Sequence, residues 1–135
     1  MTTRAAGSFE VKLAQLPLSG VAADSGLGRM SLDKVFRGEL DATSTGEMLS
    51  AMGGVQGSAG YVALERVSGS LHGRRGTFAL QHSGTMARGA RSLSVTVVPD
   101  SGTGQLEGLA GSMDILIEGK AHSYVFDYSL PGVVT

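Results

Sequence analysis

Polar and apolar residues alternate along almost the whole chain, and no long stretch carries apolar residues at i, i+3, i+4 and i+7. A period of two places successive side chains on opposite faces of an extended strand. The chain therefore reads as an all-β domain. Phe9, Val11 and Leu13 share one face of a first strand, against Ser8, Glu10 and Lys12 on the other. The loop LPLSGVAADSGLG follows, rich in turn-forming residues. Then comes a long alternating series, Met30, Leu32, Lys34, Phe36, Gly38, Leu40, Ala42 and Ser44, which a bend at Gly38 would divide. In GEMLSAMGGVQG the alternation lapses, and a turn with a short helical piece is expected there.

The stretch Gly60 to Gly84 reads as a hairpin turning at Gly73, Arg74, Arg75 and Gly76. With Arg74 and Arg75 as loop residues, His72 opposes Thr77, Val67 opposes His82 and Glu65 opposes Gly84. The bulkier face then holds Tyr61, Ala63, Glu65, Val67, Leu71, Phe78, Leu80, His82 and Met86. It should point inward, and Glu65 and His82 go with it. Two further strands, LSVTVV and GLAGSMDILIE, flank the turn PDSGTG, and GTGQLEG reads as part of a hairpin turn rather than a dinucleotide loop. A last hairpin turning at Gly119 and Lys120 opposes Ile117 to His122, Ile115 to Tyr124 and Met113 to Phe126. Seven or eight antiparallel strands in sequence order fit a closed up-and-down β-barrel, which leaves no long exposed edge. A two-sheet sandwich is the alternative if the run through Gly38 does not bend.

Composition narrows the function classes. At 135 residues the chain suits one domain, 1–135. Its 11 Lys+Arg against 12 Asp+Glu give no footprint for phosphate backbones or anionic membrane, so no nucleic-acid or membrane partner is expected. No cysteine is present, so the fold must hold by packing alone. The N-terminal MTTRAAGSFEVKLAQ alternates where a signal peptide would be continuously apolar, and a cytoplasmic location is expected. The 21 glycines exceed the average usage of about 7% and fall inside alternating runs, as bends and close approaches do.

The segments GRMSLDKVFRGEL, STGEMLSA, GSAGYVALERVSGSLHGRRGTFALQHSGTM, VVPDSGTGQLEGLAG and HSYVFDYSL together resemble the small bacterial proteins grouped as family 3224 of domains of unknown function. The resemblance runs from about Gly28 to Leu130. It implies a closed barrel similar to that of allene oxide cyclases, a fold also used by dirigent proteins and some polyketide cyclases. It implies no activity, because the family supplies none and fold alone does not determine chemistry.

An eight-stranded barrel has room inside for its own side chains or for one small ligand. On the register above, Lys34, Glu65 and His82 point inward, accompanied by the phenols of Tyr61 and Tyr124. A buried carboxylate must be paired, hydrogen-bonded or protonated. Glu65 could pair with Lys34 or His82 and serve only the strand register. Alternatively, Glu65 and His82 could act as acid and base, with Lys34, Tyr61 and Tyr124 holding a small, partly apolar molecule. The histidines His72, His82 and His122 lack metal-ligand spacing, and no metal or cofactor is expected. Arg74 and Arg75 read as solvated turn residues. Outward Val62, Leu64, Val98, Leu116 and Val125 suggest an apolar patch and a homodimer. Three functions fit: a cofactor-independent isomerase or cyclase, a non-catalytic carrier or sensor, and a structural module filled by Phe9, Leu32, Phe36, Phe78, Ile115 and Phe126.

Overall fold

The computed structural model describes residues 2–132. Its strands are β1 (Thr3–Gln15), β2 (Gly28–Gly38), β3 (Leu40–Met52), β4 (Ala59–Leu71), β5 (Arg74–Ala87), β6 (Ala90–Val97), β7 (Ala110–Glu118) and β8 (Ala121–Ser129). Each pairs antiparallel with its sequence neighbour, and β8 returns to β1, closing an eight-stranded up-and-down barrel. The alternation expected from the sequence becomes the inside and outside of this wall.

The run through Gly38 is two strands. Gly38 adopts φ +107°, a left-handed backbone that suits glycine, and the chain folds back there so that Phe36 opposes Ala42. GEMLSAMGGVQG is not helical. Gly46 to Met52 continue β3, pairing with Glu65 through Ala59 of β4. The polarity signal lapses because this end of the strand extends beyond the packed core, where neither face is strongly selected for burial.

The central hairpin turns at His72 and Gly73, with φ of 48° and 81°, as a tight two-residue turn requires. Leu71 opposes Arg74, so Arg74 and Arg75 belong to β5 and the expected turn was misplaced. Glu65 opposes Leu80 instead of Gly84, Ala63 rather than Val67 opposes His82, and His72 does not oppose Thr77. The displacement along the partner strand is an even number of residues, so every side chain keeps its expected face. The β7–β8 hairpin has the expected register, with Ile117 opposite His122.

The two barrel ends differ. At one end the connection 98–109 does not form a simple hairpin turn. It lies along β5, with Thr103 N–H on the Thr77 carbonyl at 2.8 Å, and its 3-10 turn (Gly104–Leu106) inserts Leu106 and Leu109 as a plug. Beneath the plug Phe36, Leu40, Val67, Leu71, Phe78 and Phe126 fill the interior. The opposite end, ringed by Leu13, Met52, Leu93 and Ile117, is open, and all four are more than 40% exposed.

Outward apolar residues do not form the single patch expected. Val62 and Leu64 lie on β4, adjoining Leu49 of β3, whereas Leu116 and Val125 lie on β7 and β8 across the barrel. Val98 lies beyond the end of β6.

Candidate functional site: a polar belt beneath an open mouth

Lys34, Ser44, Glu65 and His82 come from β2, β3, β4 and β5, one from each of four successive strands, and all are at most 5% exposed. They meet at one carboxylate. Glu65 Oε2 accepts from Lys34 Nζ at 2.7 Å and from His82 Nε2 at 2.6 Å, while Oε1 accepts from Ser44 Oγ at 2.7 Å. The ammonium of Lys34 also lies 5.1 Å from the Phe9 ring centroid and 5.6 Å from that of Phe36, close enough for cation–π attraction. The charges are thus paired and hydrogen-bonded, as burial demands.

Local sequence explains this convergence. Lys34 opposes Ser44 across the β2–β3 hairpin, and Gly46 opposes Glu65 across β3–β4. A Cβ at Gly46 would lie 2.0 Å from the Leu64 carbonyl oxygen and 2.7 Å from Glu65 Cα. Glycine therefore permits the close approach of β3 and β4 beside the carboxylate.

Burial pushes the Glu65 pKa upward, but the His82 hydrogen bond and the Lys34 charge and hydrogen bond outweigh it and hold the group at about 2. Glu65 is accordingly an anion at neutral pH. Because the Glu65 carboxylate is an acceptor, Nε2 of His82 is the N–H donor to it, and Nδ1 is the ring nitrogen that faces away from the carboxylate. Nδ1 makes no hydrogen bond among the described residues, and no fully buried side-chain polar atom is left without a partner.

Above the belt, on the open side, is a cavity of about 430 Å³ lined mainly by apolar groups, among them Met48, Tyr61, Gly84, Met86, Leu93 and Ile117. Tyr61 connects it to the belt, with its ring centroid 6.4 Å from that of His82. Burial, followed by the Glu65 charge, pushes the Tyr61 phenol pKa up, so the phenol remains protonated at neutral pH. Tyr61 opposes Gly84, where an added Cβ would lie 2.4 Å from the ring carbon Cε1; the ring thus rests on bare backbone.

Of the residues singled out by sequence, Lys34, Glu65 and His82 come together and Tyr61 adjoins them. Tyr124 does not. Its hydroxyl accepts from Leu40 N–H at 2.9 Å and donates to the Arg37 carbonyl at 3.0 Å, bracing the β2–β3 turn at the plugged end. Ser44 was missed, although it shares the inward face of the series containing Lys34. The three histidines lie at different levels: His72 joins Glu39 and Tyr128 at the plugged end, and His122 packs against Phe9 toward the open end. No group of three His, Cys, Asp or Glu among the described residues could hold a metal ion. Nor is any helix among the described residues long and apolar enough to cross a membrane.

The fold and site define a class: closed antiparallel barrels filled at one end, crossed by a buried carboxylate belt, and open at the other. Residues 5–128 match the model of the family described as protein of unknown function DUF3224, and the chain belongs to that family. The crystal structure of a DUF3224 protein with unknown function from Shewanella oneidensis MR-1 is similar over 98% of this chain and 100% of that one, with 50% identity and a TM-score of 0.89. No curated protein matches.

Proposed function

We propose that the protein binds a small, partly apolar molecule in the open mouth of the barrel. The observation that carries this reading is the division of the interior at the polar belt. Below it Phe36, Phe78 and Phe126 fill the space, while above it an apolar cavity of about 430 Å³ is edged by the polar groups of Tyr61, Ser50, Thr85, Ser92 and Arg91, and reaches the belt only through Tyr61. That combination suits small-molecule recognition. Tyr61 contacts the ligand directly, while Lys34 acts through Glu65 and His82. Tyr124 enters only as a brace on the wall.

A neutral fluorescent amine, N-phenyl-1-naphthylamine, tests the reading. It should bind saturably to the wild-type protein, and Met48→Trp, whose indole occupies the cavity, should abolish binding while leaving the far-ultraviolet circular dichroism unchanged. Absence of saturable binding to the wild type would rule the reading out.

The Glu65–His82 pair supports a second, catalytic reading, a cofactor-independent isomerisation or cyclisation. Glu65 remains ionised and orients the imidazole, and His82 Nδ1 moves the proton. A barrel like that of allene oxide cyclases, which the family resemblance implied, would bear on architecture alone. Proton movement at carbon leaves a trace in D2O. A compound in a cell extract should acquire deuterium with the wild-type protein but not with His82→Gln; equal incorporation with both would exclude His82.

Homodimerisation is a further part of the proposal. Leu49, Val62 and Leu64 are all more than 40% exposed on the outer β3–β4 wall and supply its apolar centre.

A further inference from the structure

We infer that the ligand of the mouth is an amphipathic anion, with its apolar body in the cavity and its carboxylate or comparable monoanionic group at Arg91. This rests on the binding reading above and specifies its ligand class. Arg91 opposes Met86 at the start of β6 and follows the same alternation as Leu93, Val95 and Val97. It therefore belongs to the inner face of the wall and lines the cavity at its rim.

Among the described residues Arg91 forms no ion pair, as is true also of Arg66, Arg74, Arg75 and Arg88, but Arg91 is the arginine of this set that lines the cavity. The cavity lining contains no carboxylate. The belt cation beneath it, Lys34, is already neutralised by Glu65. A guanidinium at an apolar opening offers a planar set of donors to a carboxylate. Electrostatic selection thus occurs at the rim, while the apolar surface beneath disfavours a charged group and takes the apolar body of the ligand.

Octanoate and 1-octanol share a chain and differ in their head group, and they can be compared by 13C-methyl methionine NMR at pH 7. Both should shift the Met48 and Met86 methyl resonances and leave that of Met113, in the packed core, unmoved. Octanoate should bind about three- to tenfold more tightly than octanol, as expected for a partly exposed, charge-assisted contact. Arg91→Gln should remove the preference without weakening octanol, and Arg91→Lys should restore part of it. Equal affinities in the wild type, or a preference that survives Arg91→Gln, would overturn the inference. If neither compound shifts Met48 or Met86, binding in the mouth fails and the inference falls with it.

Discussion

At the residue scale, Glu65 has the most consequential environment. Removing its charge strands the Lys34 ammonium in the barrel, so Glu65→Gln should destabilise the fold by about 3–5 kcal/mol, read from urea unfolding. Replacing both partners, as in Lys34→Met with Glu65→Leu, should recover part of that loss, because no unpaired charge then remains. An unchanged midpoint for Glu65→Gln would mean that the belt contributes nothing to stability. The pH dependence has a definite sign. The folded-state pKa is depressed from 4.5 to about 2, so the carboxylate's contribution is full above the unfolded value and disappears as pH falls through that window. Its size is on the order of 3 kcal/mol. Wild-type stability should therefore fall more steeply than that of Glu65→Gln between about pH 4.5 and pH 2, as followed by urea midpoints at each pH. Tyr124→Phe removes a hydroxyl that braces backbone groups and should cost about 1–3 kcal/mol without altering ligand affinity. These residues differed in how legible they were. Period-two alternation was enough to place Lys34, Glu65 and His82 inside, whereas the backbone partners of Tyr124 depend on where the β2–β3 turn falls against β8, a nonlocal fact.

At the scale of elements, the seam between β6 and β7 stands apart. β3 and β4 pair from Leu40 opposite Leu71 to Met52 opposite Ala59, but the registered pairing of β6 with β7 is Thr96 opposite Ser112. A cavity of about 270 Å³, lined by Leu93 and by Met113 to Leu116, lies beside this seam. Backbone groups that lack ladder partners open locally at low cost. Amides of Arg91 to Ser94 and of Asp114 to Glu118 that face the seam should exchange with D2O faster than those of the β3–β4 ladder; equal protection would indicate a closed seam. The sequence offered no warning of this, since both segments alternate well and strand pairing is not encoded locally. Nor did it disclose the plug: Leu106 sits among turn residues and Leu109 reads as part of the strand GLAGSMDILIE, whereas β7 begins only at Ala110, and both leucines acquire their burial when the connection folds over the barrel end. The central hairpin shows a different limit. Two candidate turns two residues apart preserve the same faces, so amphipathicity could not choose between them; the left-handed conformations at His72 and Gly73 identify the actual turn.

For the whole molecule, the division of the interior links fold to function. Side-chain packing fills the closed end, the belt separates it from the mouth, and the proposed ligand would occupy the remaining cavity. The outer β3–β4 wall should bring two copies together: sedimentation equilibrium is expected to give a dimer at micromolar concentration, shifted to monomer by Leu64→Lys, whereas a monomeric wild type would contradict dimerisation. The central claim, occupancy of the mouth, is tested most directly by native mass spectrometry of protein taken gently from cells. The account predicts a non-covalent small-molecule adduct on the wild-type chain that is absent from Met48→Trp; a bare wild-type chain, with no adduct formed on adding N-phenyl-1-naphthylamine, would contradict it.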